Sequence, residues 1–217
     1  MGGNSQAQGA RAVAAVLLIA AAVALAACRT DVPGSITAHV FPENTKEEFL
    51  YCGGEGCSDG QAIRFDGAEW SSVQALFEPE ASDSGTERRQ IAAAIALMET
   101  IAGRQAGTSG DLGGTTWLTD SPDQLDCYSE AANTTNFLGL LEREGLMRRH
   151  RTLAPQMRGL LEYGHGGVLT HATGSIEDVA SGERFAVDSW YFDNGVAPSV
   201  VPLDEWLDGW SPSGDGA

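Results

Sequence analysis

Three side chains in the second half of the chain have the types and the order of an activated thiol site. Cys127 follows Asp126, His171 lies on an apolar run downstream, and Asp188 lies on the next apolar run. A cysteine becomes an effective nucleophile when a neighbouring base takes its proton, and a third group can orient that base. Cysteine, histidine and aspartate in this order therefore predict a nucleophilic thiol with its base and its orienting carboxylate.

Each of the three residues has a competing interpretation. A single cysteine on a helix is often a small buried hydrophobic residue, and the downstream histidine and aspartate are what favour catalysis for Cys127. His165, between two glycines, is a rival base, although a flexible loop positions a base poorly. Asp193 is a rival carboxylate, but Asp193-Asn194-Gly195 is typical of a turn.

An amphipathic helix is predicted to carry Cys127 near its start. Small and apolar residues recur on the face of the cysteine, at Ala131, Thr134, Leu138 and Leu141. Gly145 predicts its end. Two starts are open: a capping box beginning at Ser121, or a cap at Asp126. We favour Asp126, because it places the thiol at the helix N-terminus, where thiolate is favoured, although Asp126 and Glu130 oppose a low thiol pKa.

Weaker patterns indicate the other elements. The predicted elements are a helix over 86–102 ended by Gly103, a flexible connector over 107–116, strands over 147–153, 168–176 and 183–191, one helical turn within 155–163, and a short terminal helix over 203–207. Residues 47–70 show little periodicity, and their glycines predict loops and short strands.

The predicted strand register brings the histidine and the aspartate together. If residues 179–182 close an antiparallel hairpin, His171 faces Trp190 and Asp188 faces Thr173. Side chains alternate along a strand with a period of two, so that His171 and Asp188 are then diagonal neighbours on one face. A loop of odd length would place them on opposite faces.

A cysteine at a helix start, a histidine on a strand and an aspartate on the following strand resemble the transglutaminase-like superfamily, and most closely the bacterial transglutaminase-like cysteine proteinases. The resemblance covers residues 86–190. It rests on Leu125-Asp126-Cys127, Leu169-Thr170-His171-Ala172 and Phe185-Ala186-Val187-Asp188-Ser189-Trp190. Leu125 stands where family members often have glycine, and Thr173-Gly174-Ser175 replaces a more apolar alternation.

The resemblance implies an α+β, papain/transglutaminase-like fold, in which a helix carrying the cysteine packs on a small antiparallel sheet carrying the histidine and the aspartate. It implies that Cys127 attacks a carboxamide or peptide carbonyl, that His171 is the base, and that Asp188 orients the imidazole. The backbone N–H of Cys127 would bind the oxyanion, with Gln124 and Trp117 as candidates for a second contact. The implied activity is that of a cysteine peptidase or amidase. A transglutaminase-type acyltransferase and a non-catalytic binding or assembly module remain alternatives.

The N-terminus predicts export and lipid attachment. Residues 12–27 form an apolar run of 16 residues, which is short for a membrane span of about 20 and suits a signal peptide over residues 1–27. Leu25-Ala26-Ala27-Cys28 resembles the lipobox of bacterial lipoproteins, which implies cleavage before Cys28 and lipid on its sulfur. We therefore expect a cell-envelope protein on the periplasmic face, with Arg29 favouring the outer membrane, and a peptide or protein substrate there.

Composition divides the remaining chain and excludes some partners. Residues 28–46 predict a lipidated tether, 47–210 one domain, and 211–217 a disordered tail. The formal net charge of −17 becomes −18 without Arg11, which argues against nucleic-acid binding. Four successive basic residues, 148–151, indicate a solvated strand edge or, alternatively, a clamp for an acidic substrate group. Nothing in the sequence implies a metal ion or an organic cofactor.

The other two cysteines predict a local disulfide. Cys52 and Cys57 flank a glycine-rich loop that can bend back on itself, and an exported protein meets an oxidising compartment. A zinc half-site is the alternative, but no second pair of ligands with suitable spacing follows. Cys127 is then the unpaired thiol.

Overall fold

A computed structural model describes residues 34–116, 121–159 and 170–212. The predicted signal peptide, Cys28, Trp117 and His165 lie outside the described residues, as do residues 213–217 of the predicted tail. The helices are α1 (Gly34–Thr37), α2 (Gly67–Ala75), α3 (Ser84–Ala106), α4 (Cys127–Arg143) and α5 (Leu203–Leu207). The strands are β1 (Phe49–Gly53), β2 (Asp59–Ile63), β3 (His150–Arg158), β4 (His171–Asp178), β5 (Arg184–Asp188) and β6 (Ser199–Pro202).

The architecture is α+β, as expected, with two antiparallel sheets. Strands β1 and β2 form a two-stranded sheet, and β3, β4, β5 and β6 form a four-stranded sheet in that order. The β4–β5 pairing runs from Gly174 opposite Val187 to Glu177 opposite Arg184. This is the register of the predicted hairpin, which is therefore confirmed. In the described ranges, no helix combines the length and the apolar character needed to cross a membrane.

Helix α4 is the central element and positions the thiol. It begins at Cys127, and the Asp126 side chain accepts a hydrogen bond of 2.9 Å from the Ser129 N–H, which confirms the cap at Asp126. The helix ends where Gly145 takes a positive φ of 74° and the Leu146 N–H bonds to the Leu141 carbonyl. Because both sheets pack on it, nearly every side chain from the first turn to Leu141 is buried.

Helix α3 is longer than the sequence predicted. Asp83 caps it, but Gly103 does not end it, so the predicted end was wrong. The helix continues to Gly107, whose φ of 83° breaks it. Gly103 has a packing role instead, since a Cβ at this position would lie 2.9 Å from the Asn194 amide oxygen. A glycine inside a helix can serve such a close approach, and the local pattern does not distinguish it from a stop.

Two further sequence predictions need correction. One helical turn was predicted within residues 155–163, but residues 155–158 belong to β3, where an irregular register between Leu153 and Gln156 accommodates Pro155. Residues 160–163 lie outside the described residues. Helix α2 was not predicted, and its first turn lies in the region over 47–70 that was predicted to be loops and short strands. Its signal was the capping box of Asp66 and Glu69, in which each side chain bonds to the other residue's N–H.

Packing begins within the segment predicted as a tether. Ile36 on α1 is 1% exposed and packs against Ala131 and Ala172. The Asn136 side chain of α4 accepts a hydrogen bond from the Phe41 N–H and donates one to the His39 carbonyl. Residues 36–41 therefore lie against the cysteine-bearing helix.

Candidate active site

The β4–β5 hairpin joins the predicted base to its predicted carboxylate. His171 Nε2 lies 2.7 Å from Asp188 Oδ2, and both side chains are at most 1% exposed. The rival carboxylate of Asp193 is elsewhere, where it accepts a hydrogen bond from the Gly113 N–H. The structure thus brings His171 to Asp188, the partner favoured from the sequence.

An aromatic cage fixes the imidazole. The ring of His171 has centroid distances of 4.6 Å to Trp190, 5.2 Å to Tyr191 and 5.4 Å to Trp206. The Trp206 indole N–H donates to Asp188 Oδ2 at 2.7 Å, so one carboxylate oxygen receives both the imidazole and the indole. The sequence predicted the short helix of Trp206 but not this contact, because nothing local links residue 206 to residue 188.

These contacts set the imidazole tautomer. An ionised carboxylate can only accept hydrogen bonds, so Nε2 must carry the proton that points at Asp188. Nδ1 is then a free base, and it is a buried atom with no hydrogen-bond partner among the described residues. His171 therefore has one nitrogen held and the other available to take a proton.

The Cys127 sulfur lies against the backbone on both sides of His171. It is 3.9 Å from the Thr170 carbonyl oxygen, and the Ala172 N–H donates toward it. Thr170 is held in place by its own hydroxyl, which lies 2.8 Å from the Tyr128 hydroxyl. Helix α4 and strand β4 thus meet at the thiol, and the cysteine and the histidine belong to one site.

The surroundings of the thiol keep it protonated. Burial raises the pKa of Cys127 from 9.0 to about 12, and the negative charges of Asp126 and Asp188 act in the same direction. The N–H groups of Ala172 and of Cys127 itself oppose this shift, but they do not overcome it. The helix N-terminus was expected to favour thiolate, yet burial dominates, so any attack by this thiol at neutral pH would need a base to remove its proton.

The segment predicted as a flexible connector braces the site. The Thr115 hydroxyl donates to the Leu125 carbonyl at 2.6 Å, and the Trp190 indole N–H donates to the Thr115 carbonyl at 2.6 Å. The Gly114 N–H also donates to the Trp190 carbonyl at 2.7 Å. The connector therefore links the residues before the nucleophile to the cage around the base.

Of the two oxyanion candidates, Gln124 belongs to the same bracing network. Its amide nitrogen donates to the Gly110 carbonyl at 2.9 Å, and its amide oxygen accepts from the Leu112 N–H at 3.1 Å. The side chain of Gln124 is thus committed to the connector in this structure. Trp117 lies outside the described residues.

A cluster of three buried carboxyl groups lies beneath the site. Glu99, Asp111 and Glu130 are each at most 6% exposed, and burial raises the pKa of Glu99 and of Asp111 to about 7. Burial and the neighbouring charges of Glu99 and Asp111 raise the pKa of Glu130 well above its ordinary value. Glu130 therefore stays protonated and donates to Asp111, which in turn accepts from the Leu125 N–H at 2.6 Å. The sequence indicated Glu130 only as an acidic neighbour of Cys127.

Replacing Glu130 with glutamine is expected to stabilise the protein at alkaline pH. Glu130 has a raised pKa in the folded protein, so the folded protein keeps a proton that the unfolded chain releases. The free energy of unfolding therefore falls as pH rises above 4.5, the ordinary pKa of the glutamate side chain. Glutamine keeps a donor for Asp111 and has no charge to bury. Thermal melts at pH 8 should show Glu130→Gln several degrees above the wild type, at about 2–4 °C per kcal/mol, with a smaller gain at pH 5.

The exposed carboxylate of Glu183 provides the control for this prediction. Glu183→Gln makes the same chemical change on the β4–β5 turn and should leave the melting temperature nearly unchanged at both pH values. A lower melting temperature for Glu130→Gln at pH 8 would mean that the buried carboxyl group is ionised and stabilising.

The run of basic residues is bound within the protein. Arg148 pairs with Glu80 at 2.8 Å, Arg151 pairs with Glu177 at 2.6 Å, and the Arg149 guanidinium donates to the carbonyls of residues 81 and 82. His150 is buried, with Nδ1 2.9 Å from Glu87. Of these contacts, only that of His150 with Glu87 joins β3 to α3, and the side chains of Arg148 and Arg151 are 63% and 58% exposed.

The predicted disulfide is confirmed, since Cys52 and Cys57 are bonded with a Cα–Cα distance of 4.6 Å. Cys127 is the free cysteine among the described residues. In the same part of the chain, no three histidine, cysteine, aspartate or glutamate side chains are arranged to hold a metal ion. Comparisons of the chain with protein-family models, with curated proteins and with solved structures give no match.

Proposed function

We propose that this protein is a cysteine peptidase or amidase of the cell envelope, with Cys127 as nucleophile, His171 as base and Asp188 as the residue that orients the base. One observation carries the proposal. Asp188 holds Nε2 of a caged imidazole whose Nδ1 is unpartnered, while the sulfur contacts the residues before and after that histidine. These groups are of the types that a nucleophile, a base and an orienting carboxylate require.

Acylation begins from a neutral thiol and a neutral imidazole. Nδ1 of His171 takes the thiol proton as the sulfur attacks a carboxamide or peptide carbonyl, and Asp188 stabilises the imidazolium that forms. The backbone N–H of Cys127, at the N-terminus of α4, donates to the developing oxyanion. The C–N bond then breaks, and the imidazolium gives its proton to the leaving amine, which leaves a thioester on Cys127.

Release of the acyl group decides between two activities. If water attacks the thioester, the products are an acid and the free thiol, which is peptidase or amidase chemistry. If a second amine attacks, the protein is a transglutaminase-type acyltransferase. We propose hydrolysis as the main reaction, on a papain/transglutaminase-like fold that is attached to the membrane by lipid on Cys28 and faces an envelope peptide or protein.

The non-catalytic alternative has one observation in its favour. The thiol is 3% exposed, and its pKa is raised to about 12, so that it is unreactive unless the base acts on it. A protein that kept only the fold would show this resting state and would never acylate Cys127.

The experiment is to incubate the protein with casein and a dansylated primary amine at pH 7, and to follow both new N-termini and amine incorporation. New N-termini that are absent in Cys127→Ala support the peptidase, and dansylated casein supports the acyltransferase. The proposal fails if neither product depends on Cys127 while 4-nitrophenyl acetate also leaves this residue unmodified.

A further inference from the structure

A groove of about 360 Å³ opens beside the proposed nucleophile. Its lining includes Asp126 and Tyr128, the two chain neighbours of Cys127. Ile36 lines it as well and packs against Ala172, whose N–H faces the sulfur. Cys127 itself does not line the groove, but a ligand held there would lie against both of its chain neighbours.

The disulfide loop forms one wall of the groove, through residues 55–57. Side chains of α4 and of its N-cap Asp126 fix this loop to the helix by hydrogen bonds to the loop backbone. These bonds join Gly56 N–H to Asp126 at 2.9 Å, Cys57 N–H to Ser129 at 2.8 Å, and the N–H and carbonyl of Cys52 to Asn133 at 2.8 and 2.9 Å. Because residues 126, 129 and 133 share one face of α4, the wall is held in a fixed position relative to Cys127.

Glu55, at the start of this wall, has a carboxylate oxygen that accepts no hydrogen bond from the described residues. This oxygen, Oε1, is buried. The other titratable side chains of the groove are Asp126, His39 and Tyr128. Both oxygens of Asp126 already accept backbone N–H bonds, from Ser129 and Gly56. Glu55 as a whole is half-buried, and a ligand that brings a donor and a positive charge would satisfy its one buried oxygen.

We propose that this groove binds the lysine or arginine side chain of an acyl-donor peptide, with Glu55 as its carboxylate partner. A cation supplies both the missing donor and the opposite charge, whereas an acidic side chain would be repelled by Glu55 and Asp126. The N-terminus of α4 has a partial positive charge, but Asp126 caps it with a full negative one. The inference rests on the proposed function, since it names the substrate class of that site.

The test compares two activated esters that differ only in the charge of the side chain. Nα-acetyl-lysine 4-nitrophenyl ester and its norleucine counterpart each acylate a thiol by forming an S–C bond and releasing 4-nitrophenolate, with the thiol proton passing to the base. At pH 7 and low ionic strength, the wild type should acylate Cys127 at least about tenfold faster with the lysine ester, as expected for a charge-assisted hydrogen bond. Peptide mapping locates the acyl group.

Variants at Glu55 determine whether the preference comes from this carboxylate. Glu55→Gln should bring the two rates together by slowing the lysine ester alone, and Glu55→Lys should make the norleucine ester the faster one. Glu183→Gln, which removes an exposed charge on the distant β4–β5 turn, should keep the full preference. Equal rates in the wild type, or a preference that survives in Glu55→Gln, would overturn the inference and leave the proposed function intact.

If neither ester acylates Cys127, the proposed function fails, and the proposed cation site is then tested by measuring ligand binding. Nα-acetyl-lysinamide and Nα-acetyl-norleucinamide would then be titrated into the Cys127→Ser protein and followed by NMR. Tighter binding of the lysine amide that is lost in Glu55→Gln supports a cation site without chemistry. Equal binding of the two amides overturns it.

Discussion

Replacing Asp188 with asparagine is expected to slow acyl transfer by about 10²–10⁴-fold without unfolding the protein. In the wild type, Asp188 accepts a hydrogen bond from the His171 Nε2–H, which leaves Nδ1 as the base. An asparagine amide can donate to the ring instead, and the ring would then carry its proton on Nδ1, where it blocks removal of the thiol proton. The measurement is the rate of Cys127 acylation by 4-nitrophenyl acetate at pH 7.

Asp193→Asn is the matched control for this prediction. Asp193 is the rival carboxylate from the sequence, and it accepts from the Gly113 N–H rather than from the imidazole. Asparagine keeps that acceptor, so the variant should react within about threefold of the wild type, the usual range for a surface change. If Asp193→Asn lost more activity than Asp188→Asn, the assignment of the carboxylate would be reversed.

Replacing Gly113 with alanine is expected to lower stability and activity together. A Cβ at this position would lie closer to the Tyr191 carbonyl than any van der Waals contact allows, at 2.3 Å, and the atom in the way is backbone. The connector and the residue 190–191 segment must therefore separate. Overpacking of this kind costs about 3 kcal/mol, or about 6–12 °C in melting temperature, and the cage around His171 opens.

Gly110→Ala makes the same change elsewhere in the connector. There the nearest atom to an added Cβ is a flexible carboxylate oxygen of Asp123, at 3.4 Å. Melting temperature and acylation rate should both remain close to the wild type. Equal melting of the two alanine variants would show that the connector is not packed against Tyr191 in solution.

Local signals in the sequence favoured the correct answer for the parts of the site that single elements determine, although a helix start at Ser121 and a loop of odd length were still open. A cap at Asp126 defined the start of α4, since its side chain must satisfy the first free N–H groups of the helix. The even length of the turn at 179–182 defined the register that places His171 and Asp188 on one face. Both follow from residues fewer than about twenty positions apart.

The remaining features of the site depend on contacts between distant segments. Trp206 reaches Asp188 only because β6 pairs with β5 and returns the chain to the hairpin. The carboxyl group of Asp111 meets Glu130 only because the connector folds back on α4. No periodicity or motif in the sequence predicts contacts between residues so far apart. The high glycine content of the connector suggested flexibility, whereas in the structure the connector is hydrogen-bonded to the site.

The burial of the Cys127 thiol could not be predicted from the sequence either, and it changes the expected protonation state of the thiol. A helix N-terminus alone favours thiolate, but the pKa of Cys127 rises to about 12 because β4 and its neighbours exclude water from the sulfur. The proposed reaction at neutral pH therefore requires His171 to act as a base during attack.

The most direct test is the rate at which 4-nitrophenyl acetate acetylates Cys127 at pH 7, measured by intact mass and peptide mapping in the wild type and in His171→Ala. The site described above predicts a rate at least about 100-fold higher in the wild type, the usual contribution of a positioned base. Circular dichroism would verify that the variant is folded. Equal rates in the two folded proteins, rising only as the thiol ionises toward high pH, would contradict an acyl-transfer site and favour a non-catalytic protein.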